Sequence, residues 1–118
     1  MQRRATKNTR AANADEKRFQ SFTKESSCIV CDNPPPSIVH HCMGATYKHN
    51  KTLIGHWFVL PLCVTCDDVI TQGSRRAFKD KFGFQHGFWS AHSKNYINSH
   101  AYVRIPHEIT LAIENCNE

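Results

Sequence analysis

Apolar residues along the chain fall into short, widely spaced runs separated by polar and turn-forming stretches. Ser37-Ile38-Val39 leads to a His40-His41 doublet, and Trp57-Phe58-Val59-Leu60 leads to Pro61. Both are long enough for short strands only, predicted over about 37–41 and 56–60, with Pro61 ending the second. Asp32-Asn33-Pro34-Pro35-Pro36 must turn before the first strand, and Gly44 to Gly55 reads as a polar loop rich in Lys, His and Asn. Past residue 66 the pattern becomes helical. Asp67, Asp68, Val69 and Ile70 open a helix that Gly73 interrupts, and Ser74 can cap a second one carrying Ala77, Phe78 and Phe82 on one side until Gly83 ends it. Phe88, Trp89, His92 and Tyr96 recur at helical spacing over about 87–97, a core-facing set. Pro106 begins a last helix with an Ile109, Ala112, Ile113 stripe. A short helix over about 11–21 has Phe19 and Phe22 as its apolar anchors.

Two cysteine pairs set the frame for these elements. CIVC places Cys28 and Cys31, and CVTC places Cys63 and Cys66, about thirty residues further on. Each knuckle presents two thiolates to one tetrahedral ion while the chain between them folds back as a hairpin, so a structural zinc is expected. A chain of 118 residues is one small domain that needs such a staple. The isolated Cys42 and Cys116, with no signal peptide read at Met1, favour reduced thiols and metal over disulfides. Cys42 itself reads as a spare buried thiol.

Charge adds a second theme. The net charge is +5, and residues 1–27 carry +4 of it, from seven basic and three acidic residues. These residues are expected to form a largely disordered basic arm, and residues 28–118 the zinc-binding domain. Arg3, Arg4, Lys7 and Arg10 on the arm, Lys48 and Lys51 in the loop, and Arg75 and Arg76 on the helix after Gly73 are the candidate phosphate contacts. A concentrated basic arm without an apolar face points to nucleic acid before membrane. No apolar run approaches the ~20 residues of a membrane span, and a cytoplasmic location is expected.

CIVC…VHHCMG…GHWFVLPLCVTC…GSRRAFKDKFG, from Cys28 to Trp89, resembles the HNH nucleases of phages, in particular those of the recombination-enhancement type. The resemblance implies an α+β, zinc-stapled ββα-metal fold with additional C-terminal helices. It implies metal-dependent hydrolysis of DNA phosphodiesters in phage or prophage recombination or repair, in a bacterial host cell, with DNA as the partner and a recombinase–DNA filament as a further candidate partner. Carried over residue by residue, Cys28, Cys31, Cys63 and Cys66 match the structural zinc ligands. His40 matches a catalytic-metal ligand and His41 the general base, and His56 matches the residue that orients the base or contacts the phosphate. An imidazole suits deprotonation of water near neutral pH. The chain departs from the family where a helix normally supplies two histidines four residues apart, because Asp67 and Thr71 stand there. Asp67 is a hard oxygen donor, which moves the expected catalytic ion towards Mg²⁺ or Mn²⁺. Thr71 is a poor ligand and leaves the site open, or completed by water or by His86 or His49. The alternatives are a DNA-binding or recombination-accessory module in which this site has decayed, and a zinc-stapled adaptor whose arm docks on an acidic protein.

Overall fold

The computed structural model describes residues 11–49, 52–100 and 104–116. Arg3, Arg4, Lys7, Arg10 and Lys51 lie outside the described residues. The element order is α1 (Ala14–Lys24), β1 (Ile38–His41), β2 (Lys48–His49), β3 (Thr52–Leu53), β4 (Val59–Leu62), α2 (Val64–Asp68), a π-helical turn (Val69–Gly73), α3 (Arg75–Phe82), α4 (Gln85–Ser99) and α5 (His107–Glu114). This is the expected small α+β fold with a cysteine cluster at its base.

The central ladder is β1 antiparallel to β4, pairing His40 with Leu60 and His41 with Val59. Expected to stop the second strand, Pro61 instead lies inside it, opposite Val39. In an antiparallel pair every second residue turns its N–H and C=O away from its partner, so a proline there costs the ladder nothing. The Pro61 carbonyl points outward and accepts from the backbone N–H of Ile29 at 2.9 Å, which ties the first knuckle to β4.

The described residues of the loop over 44–55 also carry more structure than its composition suggests. β2 and β3 pair as a small second hairpin, and Ile54 is fully buried. Gly55 is required by contact, since a Cβ there would sit 2.4 Å from the carbonyl oxygen of Ala45.

Within residues 1–27, expected as a largely disordered basic arm with a short helix over about 11–21, the described residues contain α1 over Ala14–Lys24. Asn13 caps α1 through a capping box, its side chain accepting from the Glu16 N–H while the Glu16 carboxylate accepts from the Asn13 N–H. Phe19 is then buried against Trp57, Trp89 and Tyr96. A fully buried phenylalanine stabilises by roughly 1.5–3 kcal/mol, enough to make α1 an integral wall of the domain. His92 belongs to the same wall. The Thr23 hydroxyl donates its single proton to the Phe19 carbonyl at 2.8 Å. The His92 Nε2–H therefore donates to Thr23 Oγ1 at 2.8 Å. Burial lowers the His92 pKa to about 4, so this histidine is a neutral structural group, as Trp89 and Tyr96 beside it are core aromatics.

Candidate metal centre and histidine site

The knuckles close on one point. The sulfurs of Cys28, Cys31, Cys63 and Cys66 all lie within 4.8 Å of one another, and all are free thiols. A zinc held at ~2.3 Å by four sulfurs spaces them about 3.8 Å apart, so the donor set and its dimensions fit that ion. Local backbone geometry prepares each knuckle. The Asp32 N–H donates to the Cys28 carbonyl and the Asp67 N–H to the Cys63 carbonyl, each at 2.9 Å. Asp32 adopts φ 67°, a left-handed conformation directly after the first knuckle. Burial pushes the Cys66 thiol up, as do its cysteine neighbours. Burial also acts to raise Cys63, but the Cys66 backbone N–H and the thiols of Cys31 and Cys66 outweigh it and bring Cys63 down to about 6. A thiolate is thus already favoured at the N-cap of α2.

The second cluster lies on β1 and on α2, the helix that also carries Cys66. His40 is buried on β1, with Nδ1 3.0 Å from Asp67 Oδ1 and Nε2 3.0 Å from Gln85 Oε1. Next along β1, His41 packs edge-on to His56, their ring centroids 5.9 Å apart. Its Nε2 is sealed from solvent and has no hydrogen-bond partner among the described residues. Burial, then the positive fields of His56 and His40, hold the His41 pKa below its ordinary value, which keeps the ring neutral and able to accept a proton. His56 is held from the side of α1, where Gln20 Nε2–H donates to its carbonyl at 3.1 Å. Its neighbour Trp57 is held by α4, whose Trp89 indole N–H donates to the Trp57 carbonyl at 2.8 Å.

The structure thus brings His40, His41, His56 and Asp67 into one neighbourhood and leaves Thr71 out of it. Thr71 is exposed, and its hydroxyl turns back onto its own helix, towards the Asp67 carbonyl at 3.3 Å. Neither His49 nor His86 replaces it. His49 sits on the small hairpin, and His86 stacks on Phe84 at 5.0 Å. Among the described residues, the four cysteines are the only group of three or more metal-type donors.

Gln85 is the member of this site that no spacing announces. A glutamine opening a helix ordinarily reads as a solvated polar residue, yet this one is fully buried. Arg75 and Arg76 are exposed at the start of α3, where with Ser74 and Lys79 they line a cavity of about 370 Å³. Arg75 reaches Met43, two residues beyond His41, with Nη1 3.3 Å from its sulfur. Lys48 is exposed on β2. Among the described residues no helix is long and apolar enough to cross a membrane.

Fold and cysteine cluster together define a small α+β protein built around a four-cysteine centre that could hold a metal ion. The chain belongs to the family described as "Protein of unknown function (DUF968)", whose pattern matches residues 4–98. That span takes in α1, both knuckles, the histidine site and nearly all of α4, and leaves α5 outside. No curated protein and no solved structure matches the chain.

Proposed function

We propose that this protein is a metal-dependent DNA endonuclease of the HNH type, with a structural zinc at the four cysteines. One observation supports the reading: the His40–Asp67 pair joins β1 to α2 beside the half-buried His41, whose pKa is lowered and whose Nε2 has no hydrogen-bond partner among the described residues. The 3.0 Å between His40 Nδ1 and Asp67 Oδ1 is also the spacing of two adjacent ligands on an octahedral ion bound at about 2.1 Å. His40 and Asp67 would hold Mg²⁺ or Mn²⁺. Such an ion, when bound, offsets the charge that gathers on the scissile phosphate and its leaving oxygen. His41 takes the proton from the attacking water, and its lowered pKa keeps the ring unprotonated near neutral pH. His56 packs against that ring and sets its orientation. Arg75 and Arg76 bind phosphates flanking the cleavage point, with Lys48 and the basic residues near the N-terminus giving affinity independent of sequence. The substrate is phage or prophage DNA undergoing recombination or repair, presented by a recombinase filament in the cytoplasm of the host cell.

A second reading is favoured by one specific feature. Thr71 faces its own helix, and no third donor joins His40 and Asp67 among the described residues, as in a nuclease site that has decayed into a DNA-binding module. Plasmid nicking decides between them. Zinc-loaded protein with Mg²⁺ or Mn²⁺ is expected to nick duplex, single-stranded or branched DNA, and His41→Ala is expected to abolish it. Salt-dependent DNA binding without nicking on any of these, with or without a recombinase, would establish the second reading.

A further inference from the structure

Among the described residues, the large apolar side chains left exposed are Ile38, Val64, Phe84, Ile97 and Leu111, and of these only Phe84 is aromatic. Its position is unfavourable on two counts. Phe84 is the N-cap of α4, where Ser, Thr, Asp or Asn would satisfy a helix-end N–H, and its side chain makes no cap hydrogen bond. At 48 % exposure it also forgoes much of the burial that stabilises a phenylalanine. Phe78 packs edge-on against both Phe82 and Phe88 in the same stretch, whereas the ring of Phe84 is left at the surface.

The ring is nonetheless held in place. His86 stacks on it with the planes 28° apart, and the Lys79 ammonium lies 5.4 Å from its centroid. Lys79 also lines, with Ser74, Arg75 and Arg76, the cavity of about 370 Å³ at the start of α3. An exposed aromatic ring and an anion-attracting cavity therefore adjoin. Asp80 offsets one of the charges, pairing with Arg76 at 3.8 Å, and the cavity keeps a net positive lining. Both features lie against the histidine site, because Arg75 reaches Met43 and Gln85, which follows Phe84, comes within 3.0 Å of His40.

A cavity of this kind takes a phosphate, and a flat exposed ring takes the face of a base. In duplex DNA those faces are covered by the neighbouring base pairs, and only base edges reach the grooves. We propose that Phe84 is a stacking platform for an unpaired base of a DNA strand whose phosphate occupies the cavity of Arg75, Arg76 and Lys79, so that DNA with unpaired nucleotides is preferred to continuous duplex. Lys79 leaves the ring for the phosphate as the base arrives. This preference rests on the reading of the protein as DNA-directed, and it holds whether or not the histidine site is active.

The test is direct binding by the zinc-loaded full chain, without added Mg²⁺ or Mn²⁺, to fluorescein-labelled probes of equal length: a mixed-sequence single strand, its duplex, and an abasic single strand. The parent protein is expected to bind the single strand most tightly. Phe84→Ala should weaken that binding by about 5–150-fold, the value of one base–aromatic stack, and leave duplex and abasic affinities unchanged. Phe84→Trp should retain the preference, and Phe84→Leu, apolar without a stacking face, should lose it. Trp57 and Trp89 are buried, so the emission that Phe84→Trp adds to the parent spectrum reports on the platform itself. It is expected to be quenched by the single strand and not by the abasic one. Single-strand affinity in Phe84→Ala equal to the parent's, or a loss of the same size on all three probes with zinc content and melting unchanged, would overturn the platform. Should Phe84→Ala fail to fold, the quench in Phe84→Trp decides alone. If none of the probes binds, the DNA-directed reading falls and takes the platform with it. If single strand and duplex bind equally and the added emission is not quenched, the platform alone is misassigned.

Discussion

The two donor clusters meet at α2, which carries both Cys66 and Asp67, yet they are opposites in construction. The cysteine cluster gathers four donors of one chemical type within 4.8 Å of one another. The histidine cluster gathers mixed groups, two of them joined to each other and one with a nitrogen that has no hydrogen-bond partner among the described residues. Sites that hold a fold together are closed, whereas sites that do chemistry keep a position open. On the proposed reading the difference would separate stability from activity in space, with the knuckles at the ends of the hairpin and the histidines between them. It also predicts that damage at the two ends will look unlike.

The largest effect is expected at the closed end. Cys63→Ser should release the zinc and unfold the domain, because a structural zinc supplies about 10 kcal/mol or more of apparent folding free energy. Elemental analysis and a melting curve check this, and zinc-free protein with an unchanged melt would remove the distinction between the two ends. At the open end, His41→Ala should leave zinc content and melting unchanged while reducing nicking by ~10²-fold or more. A variant that loses zinc as well would show that the two clusters are one structural unit.

A smaller effect tests the wall that supports the histidine site. The folded-state pKa of His92, about 4, lies below its ordinary 6.5, so the unfolded chain binds the extra proton first. The stability that neutral His92 preserves is complete above pH 6.5 and declines as the pH falls towards 4, by about 3 kcal/mol at most. Denaturant melts across that window should show the decline, and His92→Gln, which keeps a donor for Thr23, should reduce its slope. An identical pH profile in the variant would place the titrating group elsewhere. The mildest change is expected at the protein's outer face. Arg75→Ala with Arg76→Ala should lower the salt dependence of duplex binding by a log-log slope of up to ~1.8, about 0.9 for each phosphate contact. A slope that does not move would assign the phosphate contacts to other basic residues.

Spacing alone determined a good part of this protein. Two CxxC pairs, a turn-rich Pro-Pro-Pro run and apolar residues at periods of two and 3.6 were enough for a cysteine cluster below a short hairpin followed by helices, since these are local signals of chain geometry. Cap signals held as well: Ser74 accepts from the Ala77 N–H at 3.0 Å, and Gly83 ends α3. What the tertiary structure decided are matters of company. Phe19 and Phe22 are too few to mark a buried helix, and only the surfaces of Trp57, Trp89 and Tyr96 turn part of a basic segment into a wall of the core. Pro61 reads as a terminator until its partner strand shows that its outward side needs no donor. Thr71 and Asp67 are four residues apart on one stretch, yet only packing turns one towards His40 and the other back on its helix. Gln85 stands 45 residues from His40 and belongs to no spacing rule. Hydrogen bonds across such separations depend on where the chain has been folded, and the order of the residues does not encode them locally.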